Sequence, residues 1–356
     1  MRMLALVTDG FGAAGGIAQY NRDLVTALAQ SAAVESIAIV PRFGKPDQQL
    51  PARVTQVAPL GERLRWSATA TRIALSRRFD VIFCGHLFAA PLAAALAALI
   101  RKPLWLQLHG IEAWPTPAAI VRRAAGCASL ITSVSRHTRA AALRWCDIDP
   151  ARVRVLPNTI DPRFAPGAPP HALRRSLALE GRRIILTVSR LSSSEGYKGH
   201  DRIIAALPRI LARRPNALYL AAGDGDDRER LEALAREKQV AQNVRFAGYV
   251  SAEDLPDYYR LADAFAMPST GEGFGIAFLE ALASGLPVIA GDRDGGADAM
   301  ADGALGALVD PGDESALVDA VVAALDRGAG DASLAQRFAF ANFSRLVDSL
   351  VRHRLQ

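Results

Sequence analysis

Pro157-Asn-Thr-Ile-Asp-Pro-Arg-Phe-Ala-Pro-Gly-Ala-Pro-Pro170 carries five prolines in fourteen residues. Proline lacks the amide hydrogen that a helix interior or a central strand needs, so this stretch forms neither. It divides the 356-residue chain into two parts, each the size of an ordinary domain. Before it, short apolar runs at Met3–Thr8, Ser36–Val40, Asp80–Cys84, Leu104–Leu108, Leu130–Val134 and Val153–Leu156 read as strands. Helical patterns lie between them, at Ile17–Gln30, Leu64–Arg77, Ala89–Ile100 and Arg136–Trp145. After it the alternation restarts, with strands at Ile184–Val188, Ala217–Ala222, Val244–Phe246, Ala264–Met267, Pro287–Ala290 and Leu305–Val309. Such alternation predicts parallel sheets covered by helices on both faces. The chain reads as α/β, with two doubly wound domains at 1–160 and 182–340. A linker at 161–181 joins them, and a terminal helix at 341–356 packs back toward the first domain. Ligands of such sheets bind outside the carboxyl ends of the strands.

Composition is that of a soluble protein, half hydrophobic and about a fifth charged. Arg2 precedes Leu4-Ala-Leu-Val7, too short an apolar run for a secretory signal, and Asp9 interrupts it. The longest apolar stretch, Leu87–Ile100, falls short of the roughly 20 residues that span a bilayer and reads as a buried helix. Cys84, Cys127 and Cys146 have neither disulfide nor metal spacing and read as small buried residues in a reducing cytoplasm. Charge is uneven. Residues 1–165 carry a balance of +10 and the remainder −4. A basic first half suits an anionic membrane or a phosphorylated acceptor, or is simply a solvated arginine-rich surface. Few aromatics interleave with its cations, which argues against nucleic acid. The stretch Arg63-Leu-Arg-Trp66 to Ser76-Arg-Arg78 is basic and amphipathic, a form suited to an anionic leaflet or to an ordinary surface helix.

Three motifs sit where ligands are expected. Asp9-Gly-Phe-Gly-Ala-Ala-Gly-Gly16 follows the first strand and opens a helix. Its glycines, Gly15 and Gly16 included, let backbone approach a phosphate at a helix N-terminus. It satisfies G-x-G-x-x-G, but the second strand ends Ile39-Val-Pro-Arg42 with no acid, which excludes the usual dinucleotide reading. Val188-Ser-Arg190-Leu191, followed by Tyr197-Lys198-Gly199, brings two cations to the end of the second domain's first strand. Arginine as a planar fork and lysine as a mobile charge suit a diphosphate and its charge on departure. Glu272 lies in a glycine-bracketed loop, and Glu280 interrupts an apolar helix that begins at Gly275-Ile276. The pair reads either as an acid and a base of glycoside chemistry or as acceptors for sugar and ribose hydroxyls. Three Asp-x-Asp strings, at 147–149, 224–226 and 292–294, read as loop or helix-start acids rather than metal ligands.

Together these motifs resemble the family-four (group 1) retaining glycosyltransferases of GT-B fold. The resemblance rests on Ser189-Arg-Leu191 with Tyr197-Lys-Gly199, on Glu272 and Glu280 eight positions apart, and on Pro157-Asn-Thr-Ile-Asp161. Ala222-Gly-Asp-Gly225, Phe246-Ala-Gly-Tyr-Val250 and Ser284-Gly-Leu-Pro-Val288 extend it over nearly the whole chain. It implies two Rossmann-like domains facing across an interdomain cleft. It implies that Arg190 and Lys198 bind the donor diphosphate and Glu280 the ribose. Glu272, with the Phe274, Gly275 and Ile276 backbone, would bind the transferred sugar. Gly15 and Gly16 would lie near the phosphates, and His109 matches the family's first-domain active-site histidine. The activity implied is transfer of a hexose from a nucleotide sugar, GDP-mannose or a UDP-hexose, to a glycan or lipid-linked acceptor, with no metal and no further cofactor. Mannose is favoured because Leu108-His-Gly-Ile-Glu-Ala-Trp114 looks like segments of bacterial mannosyltransferases. The expected location is the cytoplasm, in peripheral contact with the inner face of the membrane. The alternatives are a sugar-nucleotide epimerase or a phosphorylase on the same frame.

Overall fold

The structure is a computed structural model that describes residues 1–46 and 49–355. Gln356, the last residue of the expected terminal helix, lies outside them. Thirteen strands are present among the described residues. The first seven are β1 (Arg2–Asp9), β2 (Ser36–Phe43), β3 (Val54–Gln56), β4 (Val81–Cys84), β5 (Leu104–Leu108), β6 (Leu130–Ser133) and β7 (Val153–Val155). They form one parallel sheet in the order β3-β2-β1-β4-β5-β6-β7. The other six are β8 (Arg183–Val188), β9 (Ala217–Ala222), β10 (Val244–Gly248), β11 (Ala264–Met267), β12 (Val288–Gly291) and β13 (Ala307–Val309). They form a second parallel sheet, ordered β10-β9-β8-β11-β12-β13. Chain order reverses direction between β1 and β4 in one sheet and between β8 and β11 in the other. Crevices for ligands open at such reversals.

Both sheets are apolar on both faces, as strands covered by helices must be. Met3 to Leu6, Val81 to Cys84 and Leu104 to Leu106 are buried throughout in the first, and Ala217 to Leu220 and Ala264 to Ala266 in the second. The helix Ala90–Ile100, read from sequence as buried, covers its sheet with one face only. Ala90, Ala93, Leu96 and Ala97 are buried while Leu99 is 59 % exposed. Cys127 likewise lies on the surface, whereas Cys84 and Cys146 are buried.

The chain divides into two compact units, Met1–Thr159 with Phe340–Gln356, and Ile160–Ala339. From Ile160 onward the proline-rich segment therefore belongs to the second unit. Its prolines exclude regular structure, but its carbonyls are used. Arg260 donates to the carbonyls of Ala165 and Arg163, each at 3.2 Å, and Phe164 sets its ring edge-on to Tyr259 at 5.4 Å. A short helix, His171–Ser176, follows the last proline, and its Arg174 reaches the carbonyls of Leu179, Arg182 and Leu261.

The helix Phe340–Arg354 completes the first unit, packing on the helix Gly16–Gln30. Phe343, Val347 and Val351 form its buried stripe. Ser31 donates to Asp348 at 2.5 Å, and Phe343 meets the Tyr20 ring at 6.1 Å. Phe343→Ala should cost the first unit about 3–5 kcal/mol, the usual toll of a buried phenylalanine. A urea titration followed by tryptophan fluorescence checks this, since Trp66, Trp105, Trp114 and Trp145 all belong to that unit.

Candidate active site

In the second unit, the residues expected to hold a donor lie on the loops after β8 and β11, the two strands flanking the reversal. Lys198 ends a 3-10 segment, Ser193–Lys198, before Gly199 turns the chain into the helix His200–Arg213. Lys198 is nearly buried and ion-paired with Glu272 on the β11 loop. Burial works against its positive charge, but Glu272 and then Glu195 outweigh it and hold the ammonium above its usual range. Its Nζ also lies 5.3 Å from the centre of the Tyr197 ring. Tyr197 in turn accepts from the Thr270 amide at 2.9 Å, and Arg202 donates to Pro268 at 2.9 Å. The two loops are thus tied at three points.

Arg190 is 78 % exposed and ion-paired with Glu195. Glu195 Oε2 is buried without a hydrogen bond and lies 3.9 Å from Lys198 Nζ. Arg190, Glu195, Lys198 and Glu272 therefore form a line of alternating charge, two positive and two negative. Sequence reasoning missed Glu195. Its signal was its place between the two cations, three residues before Lys198.

Glu272 is held from behind by Asp294. The Asp294 carboxylate accepts from the Glu272 amide at 2.8 Å, the Ser269 hydroxyl at 2.7 Å and the Gly296 amide at 2.8 Å. It is 2 % exposed, and burial raises its pKa against those three donors. Two other acids of the Asp-x-Asp strings have comparable work. Asp226 binds the amide and hydroxyl of Ser193, and Asp149 caps Pro150–Arg152. Among the described residues no group of three or more His, Cys, Asp or Glu stands where it could hold a metal ion.

Gly275 starts the helix Ile276–Ala283 at φ 89°, which a side chain would oppose; a Cβ there would also lie 2.3 Å from the Phe278 ring. Phe274 beside it is buried, edge-on to Phe338. Glu280, one turn along, accepts from the Tyr259 hydroxyl at 2.6 Å. Burial raises its carboxyl to about 7; the Tyr259 bond and Arg163 oppose the rise and Asp161 adds to it.

In the first unit, Gly15 (φ 102°) precedes the helix Gly16–Gln30, and space around it is open. Gln56 of β3 clamps the glycine-rich loop, accepting from the Phe11 amide at 2.9 Å and donating to its carbonyl at 3.3 Å. His109 follows β5. Its Nε2 lies 2.8 Å from the Gly85 carbonyl, which only accepts, so Nε2 carries the proton and Nδ1 keeps a lone pair. Its amide donates to Glu112 at 2.5 Å. Burial lowers the ring to about 4; Glu112 resists and nearby His86 adds to the fall. The imidazole is therefore neutral at pH 7. Tyr20, one turn into the helix that Gly16 opens, meets His109 edge-on at 5.1 Å and donates to buried Gln107 at 2.9 Å. Tyr20 thus links His109 to the helix that Gly16 opens.

Comparison with known proteins follows the division of the chain. Over nearly its full length it superposes on Anabaena Alr3699/HepE, solved in complex with UDP and glucose, with a TM-score of 0.78 at 21 % identity. That superposition covers 98 % of this chain and 99 % of the other, and its fold is GT-B. A model of Glycosyltransferase Family 4 matches residues 14–164, and one of Glycosyl transferases group 1 matches 171–339. The chain belongs to this family of glycosyltransferases. It is 34 % identical over 249 residues to the GDP-mannose-dependent alpha-(1-6)-phosphatidylinositol monomannoside mannosyltransferase of Mycolicibacterium smegmatis, 65 % of this chain and 64 % of the relative. It is 32 % identical to a glycogen synthase of Mycobacterium tuberculosis over 79 % of this chain and 63 % of that one. The chain thus spans just under two thirds of the length of these relatives.

Glu280 makes a pH-dependent contribution to stability. Its carboxyl titrates near 7 folded and near 4.5 unfolded, so its protonated form favours the fold below about 4.5 and that advantage is lost as pH rises through 7. Glu280→Gln keeps an acceptor for Tyr259 without the charge. It should be more stable than the native chain at pH 8 and show no such gain at pH 4. Urea midpoints at both pH values test this, and an equal difference at the two would contradict it.

Proposed function

We propose that this protein transfers a hexosyl group, with mannose favoured, from a nucleoside-diphosphate sugar to a hydroxyl of a glycan or lipid-linked acceptor, with retention of anomeric configuration. The observation that carries the reading is the alternating row Arg190, Glu195, Lys198 and Glu272 at the β8–β11 reversal. In the reaction the bond from the anomeric carbon to the diphosphate breaks. The acceptor oxygen bonds that carbon on the face being vacated, and its proton passes to a diphosphate oxygen. Arg190 and Lys198 offset the charge that develops on the departing diphosphate, the group for which a fork and a point charge are suited. For Lys198 to do so, its ammonium turns from Glu272 to phosphate, which frees Glu272 to accept from sugar hydroxyls. The Phe274–Ile276 backbone supports the sugar, and Glu280 accepts from the ribose. In the first unit, neutral His109 keeps an Nδ1 lone pair suited to a hydroxyl donor. No divalent metal enters this scheme.

The mannosyl donor is supported by the name of the Mycolicibacterium relative, while HepE holds UDP, so the base is read by direct comparison. Arg190→Ala with Lys198→Ala, and separately Glu272→Gln, should lower transfer at least ~100-fold while far-ultraviolet circular dichroism stays unchanged. The assay takes GDP-mannose and UDP-hexoses in parallel, with and without acceptor. Turnover that needs no acceptor would indicate epimerisation, and native rates in both variants would remove these residues from the site.

The acceptor side of the proposal includes peripheral contact with an anionic membrane on its cytoplasmic face. On the helix Arg63–Ser76, Trp66, Ala70 and Ala74 are buried, while Leu64 is 85 % and Leu75 61 % exposed. Arg63, Arg65, Arg72, Arg77 and Arg78 are exposed beside them. Exposed leucines among arginines suit an anionic interface. No helix among the described residues is long and apolar enough to cross a membrane. Leu64→Glu with Leu75→Glu should abolish co-sedimentation with vesicles containing phosphatidylserine and leave soluble-acceptor turnover intact; native pelleting would refute the contact.

A further inference from the structure

The two candidate phosphate-binding cations stand on separate segments, Arg190 after β8 and Lys198 before the helix His200–Arg213. One buried side chain spans them. His200, 6 % exposed, lies two residues after Lys198, and its Nε2 is 2.7 Å from the hydroxyl of Ser189, the residue before Arg190. Its Nδ1 is 2.6 Å from the Tyr219 hydroxyl on β9. Tyr219 donates to Thr187 of β8 at 3.0 Å, and Thr187 donates to the Ala266 carbonyl of β11 at 2.5 Å.

The direction of this chain is fixed from its far end. A carbonyl only accepts, so the Thr187 proton points to Ala266 and the Tyr219 proton to Thr187. Tyr219 oxygen then accepts from His200 Nδ1–H, and Nε2 is left as an acceptor for the Ser189 hydroxyl. A neutral imidazole has no second arrangement that keeps all four bonds, and the Ser189 hydroxyl, which also lies 3.1 Å from the Arg190 carbonyl, shares its proton between that oxygen and Nε2. Burial, with the charge of Lys198 adding, lowers it to about 4, so it is neutral, as an accepting Nε2 must be.

The backbone of Ser189 is already pinned on its β9 side. Its amide donates to Ala222 at 3.1 Å, and its carbonyl lies so close to Gly223 that a Cβ there would sit 1.8 Å away. Neither contact reaches the Lys198 segment; the hydroxyl does.

We propose that His200 is a positioning residue that sets Arg190 relative to Lys198 for a nucleoside diphosphate, acting through the Ser189 hydroxyl and not by touching the ligand. The proposal rests on the donor-site reading above. Two half-isosteres separate the two ends of the ring. His200→Gln puts an amide oxygen where Nε2 stands and keeps the Ser189 bond; His200→Asn puts its amide where Nδ1 stands and keeps only Tyr219. Affinities for a nucleoside diphosphate and for the bare nucleoside are measured by calorimetry, using whichever base the donor assay selects. His200→Asn and Ser189→Ala should weaken the diphosphate about tenfold or more, as misplacement of a binding group does, and leave the nucleoside unchanged. His200→Gln should stay within about threefold of native, and the double variant Ser189→Ala, His200→Asn should add nothing to either single one. Native diphosphate affinity in His200→Asn and Ser189→Ala, or an equal loss in His200→Gln, overturns the proposal. Ser189→Ala, on a half-exposed loop, decides the matter if a His200 variant does not fold. Arg190→Ala serves as the control: if it too binds diphosphate natively, the donor-site reading fails and takes this proposal with it. If Arg190→Ala is weakened and the others are not, this proposal alone fails.

Discussion

Parallel pairing is the constraint on which the rest of this structure depends. Strands that run the same way present all their carboxyl ends at one edge, and each loop there starts from a fixed, buried point. In the first unit this gathers the glycine-rich loop after β1, the Gly85-His86 turn after β4 and His109 after β5. In the second it gathers Arg190 after β8 and Glu272 after β11, residues eighty-two positions apart in sequence, with Lys198 between. Hydrogen bonds then lock what the sheet has brought near. Asp294 fastens Glu272, and the Tyr20–Gln107 pair backs the imidazole of His109.

The architecture was legible because apolar runs of three to six residues alternated with helical spacing on either side of a proline cluster. Strand β3 was not, since Val54-Thr-Gln56 is three residues long and carries a single apolar side chain. The proline cluster was read as a linker because proline excludes regular elements. Its attachment to the second unit comes from Arg260, whose long reach leaves no periodic mark. At the site, Arg190, Lys198 and Glu272 stood out by residue type after strand ends, and Glu280 by interrupting an apolar helix. Glu195, Asp294 and His200 did not, because their importance lies in contacts made across two or three segments. The same limit hid the state of Glu280, whose carboxyl is raised by burial, with Tyr259 and Arg163 opposing and Asp161 adding from elsewhere in the chain.

The electrostatics of the second unit follow from the same packing. Two cations withdrawn toward a sheet end would repel one another if left alone, and carboxylates intercalated between them hold them in place without ligand. Burial works against the charge of Lys198, and Glu272 foremost among its neighbours outweighs it. Under the proposed function, a dianion entering this row exchanges partners and does not neutralise bare charge. Binding energy is tempered, while discrimination against ligands too small or too weakly charged to displace the carboxylates is strengthened.

The discontinuity of the first unit has a consequence for synthesis. Its seven strands lie within the first 155 residues, yet the helix that buries Phe343, Val347 and Val351 against the helix Gly16–Gln30 is made only after the whole of Ile160–Ala339. On the ribosome the second unit has a contiguous chain and can close as soon as it emerges, whereas the first waits with an apolar flank uncovered. The part of the molecule translated first is thus the part completed last.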